Sequence, residues 1–175
     1  MSRLLFIVLA GSCSLVYNVA TAQTPAGGPI SSADVYIDSV TGSITPNSFT
    51  CVVKVNNQND DDSQGTMVVV LLPLQVEKIL NIKKNFQRKC TPTRNGPYVG
   101  YITCELGSLP VNSPAHPQPP KIIDVTTSPS TALPGYPETC SAFIYSAVGD
   151  IDKKNNYCYW PPDPDQPSCP FQRGK

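Results

Sequence analysis

Nineteen prolines, running from Pro25 to Pro170, are spread along the 175 residues. Each removes a backbone donor and fixes φ near about −65°, which breaks a helix interior. Strands accept proline at edges, ends and bulges. The chain is therefore expected to build from short extended segments joined by stiff loops.

The opening residues MSRLLFIVLAGSCSLVYNVATAQ carry one early charge, Arg3, an apolar run from Leu4 to Ala10, and a small-residue end at Ala20-Thr21-Ala22. That is the pattern of a secretory leader over 1–22, cleaved before Gln23. The run is too short to span a bilayer, so no membrane span is expected. LAGSC places Cys13 loosely as in a bacterial lipoprotein signal, but Leu9 is one position too far away. About 150 residues remain, enough for one domain with a core. They hold six cysteines: Cys51, Cys90, Cys104, Cys140, Cys158 and Cys169. An even set in an exported chain favours disulfides. Zinc is disfavoured by a single histidine and by the lack of any C-x-x-C spacing. Thirteen basic residues balance thirteen acidic ones, so nothing points to nucleic acid.

Gln23 to Ala33 reads as a flexible lead-in. Period-2 segments then recur between turns. Asp34–Val40 forms a first strand, ended by Thr41-Gly42-Ser43. In Phe49–Asn56, Phe49, Cys51, Val53 and Val55 share one face. Thr66–Pro73 is a continuous apolar run, the pattern of a strand covered on both sides. VEKILNI reads equally as a strand or a short helical turn. GYITCEL, KIIDVTT, Thr139–Val148 and YCYW complete the set. Seven or eight short strands describe an antiparallel β-sandwich over 34–160, followed by a Pro-rich tail over 161–175.

Six cysteines allow fifteen pairings. Cys90 and Cys104 flank the hairpin signal Asn95-Gly96 and are expected to bridge it. Cys51 and Cys140 each share a face with apolar neighbours, so they are expected to bridge the core. Cys158–Cys169 then tethers the tail.

FTCVVKVNNQNDDDSQGTMVVVLLP, CTPTRNGPYVGYITCELGSLPVNS and FIYSAVGDIDKKNNY, in that order, resemble a bacterial cell-surface repeat. This is the domain of unknown function eleven, related to the cell-adhesion-related domain found in bacteria. Val55-Asn56, Leu72-Pro73, Cys104 through Leu109 and Asp150 through Asn156 carry the likeness, which covers Ala33 to Tyr157. It implies an immunoglobulin-like sandwich in exported or envelope proteins, used for adhesion or spacing rather than catalysis. The single copy, the proline tract at 114–120 and the cysteine-bearing tail depart from that pattern. The family has no common activity, so no residue roles carry over.

Acid–base or nucleophilic chemistry needs a tuned titratable group beside a nucleophile. The single histidine, His116, lies in SPAHPQPP with no adjacent carboxylate, and the cysteines are committed to bridges. No enzyme is expected. SAVGDIDKKNNY reads first as a turn, with Gly149 supplying positive φ and Asp150 and Asn155-Asn156 bonding their own backbone. An immunoglobulin-like topology opens the second and last loops at one end. That would gather Asp60, Asp61, Asp62, Asp150 and Asp152 into a candidate Ca²⁺ site, the one cofactor considered, although Lys153 and Lys154 could neutralise these acids instead. Tyr157, Tyr159 and Trp160 form a candidate surface for stacking on sugar rings, with core packing as the plainer alternative. The proline tract reads as a rigid connector or a polyproline II ligand. The expectation is a secreted binding or adhesion module for a protein or glycan partner at the cell surface; the alternative is a sandwich binding carbohydrate or calcium.

Overall fold

The computed structural model describes residues 33–58, 61–131, 138–147, 149–161 and 169. The expected leader, the lead-in up to residue 32, Asp60 and most of the tail lie outside the described residues. Among the described residues nine strands run in chain order: β1 Val35–Thr45, β2 Ser48–Asn57, β3 Ser63–Val76, β4 Ile79–Lys84, β5 Cys90–Asn95, β6 Tyr98–Leu109, β7 Lys121–Thr127, β8 Cys140–Tyr145 and β9 Tyr157–Trp160. A single 3-10 turn, Lys153–Asn155, is the only helical element among the described residues.

The strands form two antiparallel sheets, ordered β1-β2-β7-β4 and β5-β6-β3-β8-β9. Read as A-B-E-D against C-F-G, the first sheet and the β3-β8-β9 part of the second follow the immunoglobulin arrangement. The hairpin β5-β6 departs from it: it follows β4 in the chain yet extends the β3 edge of the second sheet. Proline placement agrees with the pairing, since Pro92 lies in β5, an edge strand bonded only to β6.

Alternation defines the core. Phe49, Cys51, Val53 and Val55 of β2 are buried and face Val68 and Val70 of β3 and Ala142 and Ile144 of β8 within one hydrophobic cluster. Three disulfides join Cys51 to Cys140, Cys90 to Cys104 and Cys158 to Cys169. The first links the inner faces of the two sheets across 89 residues of sequence. The second crosses the β5-β6 hairpin at directly opposed positions.

One open reading is settled and two details differ from the reading of the sequence. VEKILNI resolves into a strand, β4, beginning at Ile79. β1 continues through Thr41-Gly42-Ser43 to Thr45, and the chain reverses before Ser48. Gly42 serves contact rather than turning, because a β-carbon there would lie 2.2 Å from the Trp160 ring. Finally, β3 has only one covered face: Val68, Val70 and Leu72 are buried, while Met67, Val69 and Leu71 are half-exposed.

Candidate functional site: the outer face of the five-stranded sheet

In antiparallel pairs, directly opposed residues project to the same side. Met67 lies opposite Tyr145 on β8 and Glu105 on β6; Val69 lies opposite Phe143 and Thr103; Leu71 lies opposite Ser141 and Tyr101. The β8-β9 register adds Tyr157 beside Phe143 and Tyr159 beside Ser141. One continuous surface results. Its centre is aliphatic, and its margins carry Tyr101, Phe143, Tyr145, Tyr157 and Tyr159.

Phe143 and Tyr145 are 42% and 43% exposed, and Tyr101 and Tyr157 both 37%. The rings are mutually ordered: Phe143 and Tyr157 have centroids 4.5 Å apart at 33°, and Tyr157 and Tyr159 are 5.9 Å apart at 26°. At the Met67 end the face meets a cavity of about 470 Å³ lined in part by Arg88, Glu105 and Gln64. The other sheet contrasts with it. Thr50, Val52, Lys54 and Asn56 of β2 alternate outward beside Asp124 and Thr126 of β7, making a polar surface.

Of the three aromatics expected to stack on a ligand, Tyr157 and Tyr159 lie on this face. Trp160 does not. Its place in the alternation turns it inward, where its ring stands 5.9 Å from Phe49 and packs on the core. Trp160 is opposite Cys140 in register and Gly42 is opposite Cys51, so the indole lies beside the bridge between the sheets. Phe143, Tyr145 and Tyr101 escaped the sequence reading. The signal existed for two of them: if Cys140, Ala142 and Ile144 face inward, Phe143 and Tyr145 face out.

The acidic residues distribute differently from the expectation. The second and last loops do meet at one end, where Ala147 N–H donates to Gln64 O at 3.0 Å. Asp62, however, accepts from Val111 N–H at 2.9 Å. Asp150 accepts from Asn156 Nδ2 at 2.7 Å, and Asp152 accepts from Lys154 N–H at 3.1 Å. Among the described residues no three His, Cys, Asp or Glu side chains gather as a metal-holding group, and Asp60 lies outside those residues. Burial raises the Asp150 carboxyl above its ordinary pKa, with Asp34 and Asp152 adding to the shift; its bonds to Asn156 and Asp152 oppose it.

His116 is exposed in a turn, where its N–H donates to Ser113 O at 3.0 Å. The proline tract is fastened within and at its end: Gln118 N–H donates to Asn112 Oδ1 at 2.9 Å, and Asn85 Nδ2 donates to Pro120 O at 2.9 Å. Among the described residues no helix is long and apolar enough to cross a membrane. No family model matches the chain, and no curated protein matches it.

Proposed function

We propose that the protein is an exported, non-catalytic binding module of the cell surface or extracellular space, and that it takes a protein partner on the outer face of the five-stranded sheet. One observation carries this reading. β3 is apolar on both faces, and on the outer one Met67, Val69 and Leu71 are only partly buried and are bordered by the exposed rings of Tyr101, Phe143, Tyr145 and Tyr157. A contiguous exposed apolar surface of this kind marks an interaction site. Tyrosine and phenylalanine around an aliphatic centre, with Arg88 and Glu105 at one end, match the composition of protein interfaces. Three disulfides support an oxidising compartment. The likeness to bacterial surface repeats points the same way.

The ordered run Phe143, Tyr157 and Tyr159 favours a second reading, a glycan laid across the rings. The test compares two faces of one molecule. A photo-crosslinking side chain at position 143 or 69 captures a discrete protein at the surface of the producing cells. The same group at Val52 or Thr126, on the polar face, does not. Equal capture from both faces, or none from either, overturns the protein reading. Array binding by a defined glycan, lost in Tyr157→Ala, would replace it with the second.

A further inference from the structure

Charge is balanced over the whole chain but not along it. Six of the 13 lysines and arginines fall between Lys78 and Arg94, an interval that holds none of the 13 acidic residues. Lys78, Lys83, Lys84, Arg88, Lys89 and Arg94 are all exposed. The fold gathers them. β4 is the last strand of one sheet and β5 the last strand of the other, and residues 85–89 carry the chain between them. Arg94 donates from its guanidinium to Glu77 O at 3.3 Å and to Pro97 O at 2.8 Å, which ties the end of β5 to the start of β4. Ile79, Ile82, Phe86 and Cys90 pack on the core behind both edges. The two edges therefore make one side wall of the sandwich, about 20 Å long and about 10 Å across.

Lys78 and Arg94 stand at one end of this wall, and Lys83, Lys84, Arg88 and Lys89 at the other. Among the described residues none of the six forms an ion pair. Three acids adjoin them: Glu77 beside Lys78, Asp124 opposite Lys83, and Glu105, whose N–H donates to Lys89 O at 2.9 Å. Six against three leaves positive charge in excess. Asp34, Asp38, Asp150 and Asp152 belong to the opposite edge of the body, where β1 meets the β8-β9 loop. Lysine on an edge strand also discourages pairing with another chain. That role needs charge only on β4 and β5, whereas Arg88 and Lys89 continue the series through the loop. The loop is held at both ends, which lowers the ordering cost of binding. Asn85 donates from Nδ2 to Pro120 O at 2.9 Å and accepts from Ile122 N–H at 2.8 Å, and the Cys90–Cys104 bridge follows Lys89.

We propose that this wall binds a linear anionic polysaccharide, whose sulfate, phosphate or carboxylate groups meet the six basic side chains. Two strand edges suit a single extended polymer better than a flat membrane. A single-stranded nucleic acid gains much of its affinity from bases stacked on aromatic rings. The one ring in this interval, Phe86, packs on the core and lies under Lys84 Nζ at 5.7 Å. The wall is distinct from the aromatic face, although Arg88 borders both, and the two readings share only the extracellular setting.

The experiment uses the full disulfide-bonded chain. Heparin and dextran sulfate, alginate, and a teichoic acid present sulfate, carboxylate and phosphate in turn, with uncharged dextran as the blank. At least one of the three anionic groups is expected to retain the protein at about 0.15 M salt, with affinity falling steeply as salt rises. Lys83→Ala combined with Lys84→Ala weakens that binding at least tenfold and reduces the salt slope by about 1–2. Lys153→Ala combined with Lys154→Ala removes the same charge from the opposite edge and leaves both unchanged. Lysine acetylation of the wild type, read by mass spectrometry, needs no variant: the bound polymer shields Lys78, Lys83, Lys84 and Lys89 but not Lys153 or Lys154. Equal weakening by the two double variants, no retention at that salt, or even shielding of all lysines overturns the proposal. So does tighter binding to phosphatidylglycerol vesicles or to an oligothymidine than to every polysaccharide. Tyr157→Ser leaves polysaccharide binding intact, so failure here and failure of the crosslinking from position 143 are told apart.

Discussion

Gly42 and Trp160 compete for one volume: a β-carbon on Gly42 would stand 2.2 Å from Cε3 of the indole and 2.5 Å from Cδ2. The indole is packed on the core, with its ring 5.9 Å from that of Phe49, so it has little room to retreat. Gly42→Ala is therefore expected to destabilise the fold by about 1–3 kcal/mol, the usual cost of overpacking. Combining it with Trp160→Leu should recover part of that loss. Urea unfolding of the two single variants and the double variant measures the coupling.

The bridge between the sheets closes a loop of 89 residues. Replacing Cys51 and Cys140 together by alanine should cost about 4.6 kcal/mol by the chain-entropy account. The shorter Cys90–Cys104 loop spans 14 residues, and its removal should cost about 3 kcal/mol. Denaturant midpoints for both double variants check the order.

Asn57 is a buried hub. Its Oδ1 accepts from Asp34 N–H at 3.1 Å, and its Nδ2 donates to Asp61 O at 2.8 Å and Leu109 O at 3.0 Å. Asn57→Ala strands an amide and two carbonyls and is expected to cost about 3 kcal/mol. Amide exchange should quicken at Asp34 more than at Val53, which lies in the middle of β2.

Asp150 gives stability a signed pH dependence. Its carboxyl titrates higher in the folded chain than its ordinary value of 3.8, chiefly through burial. Its protonated form then contributes stability that is fully present below pH 3.8 and lost as pH rises through the folded value. Asp150→Asn keeps an oxygen for Asn156 and removes the charge. The variant should flatten that decline, at the cost of the bond from Asp152 N–H, which the carboxylate's other oxygen accepts in the wild type. Thermal melts between acid and neutral pH provide the measurement.

The outer aromatic face should prove dispensable for folding. Phe143→Ser is expected to cost no more than about 1.5 kcal/mol, since it removes an exposed ring and one aromatic pair, and Tyr157→Ser somewhat more, up to about 2 kcal/mol, because it removes two pairs. Partner capture should be lost in both. Melting curves taken beside the crosslinking assay separate the two effects.

Local pattern made much of the sandwich legible. In Phe49–Asn56 and Thr139–Val148 alternation alone separates inner from outer residues, and the positions of Cys51 and Cys140 within it fix which faces meet. The aromatic face was harder, because Tyr101, Phe143 and Tyr157 lie on separate strands and only the register assembles them. β3 misled for a related reason. Apolar residues on both sides imply cover, but sequence does not distinguish a layer of the same chain from a partner. Gly42 read as a turn because the indole that requires a glycine there comes from β9, far along the chain. Asp34 carried no local sign that Asn155 and Gln58 would bond it from two other loops.

The bridge from β2 to β8 also governs how the molecule behaves under tension. Load applied to the two ends passes from Cys51 directly to Cys140, so the residues between them, a sequence separation of 89, cannot be drawn out. At roughly 3.4 Å per residue, about 300 Å of slack stays locked within the body. Under load only the chain outside the bridge, β1 and the segment after β8 included, can be drawn out, and reduction of that one bond releases the rest.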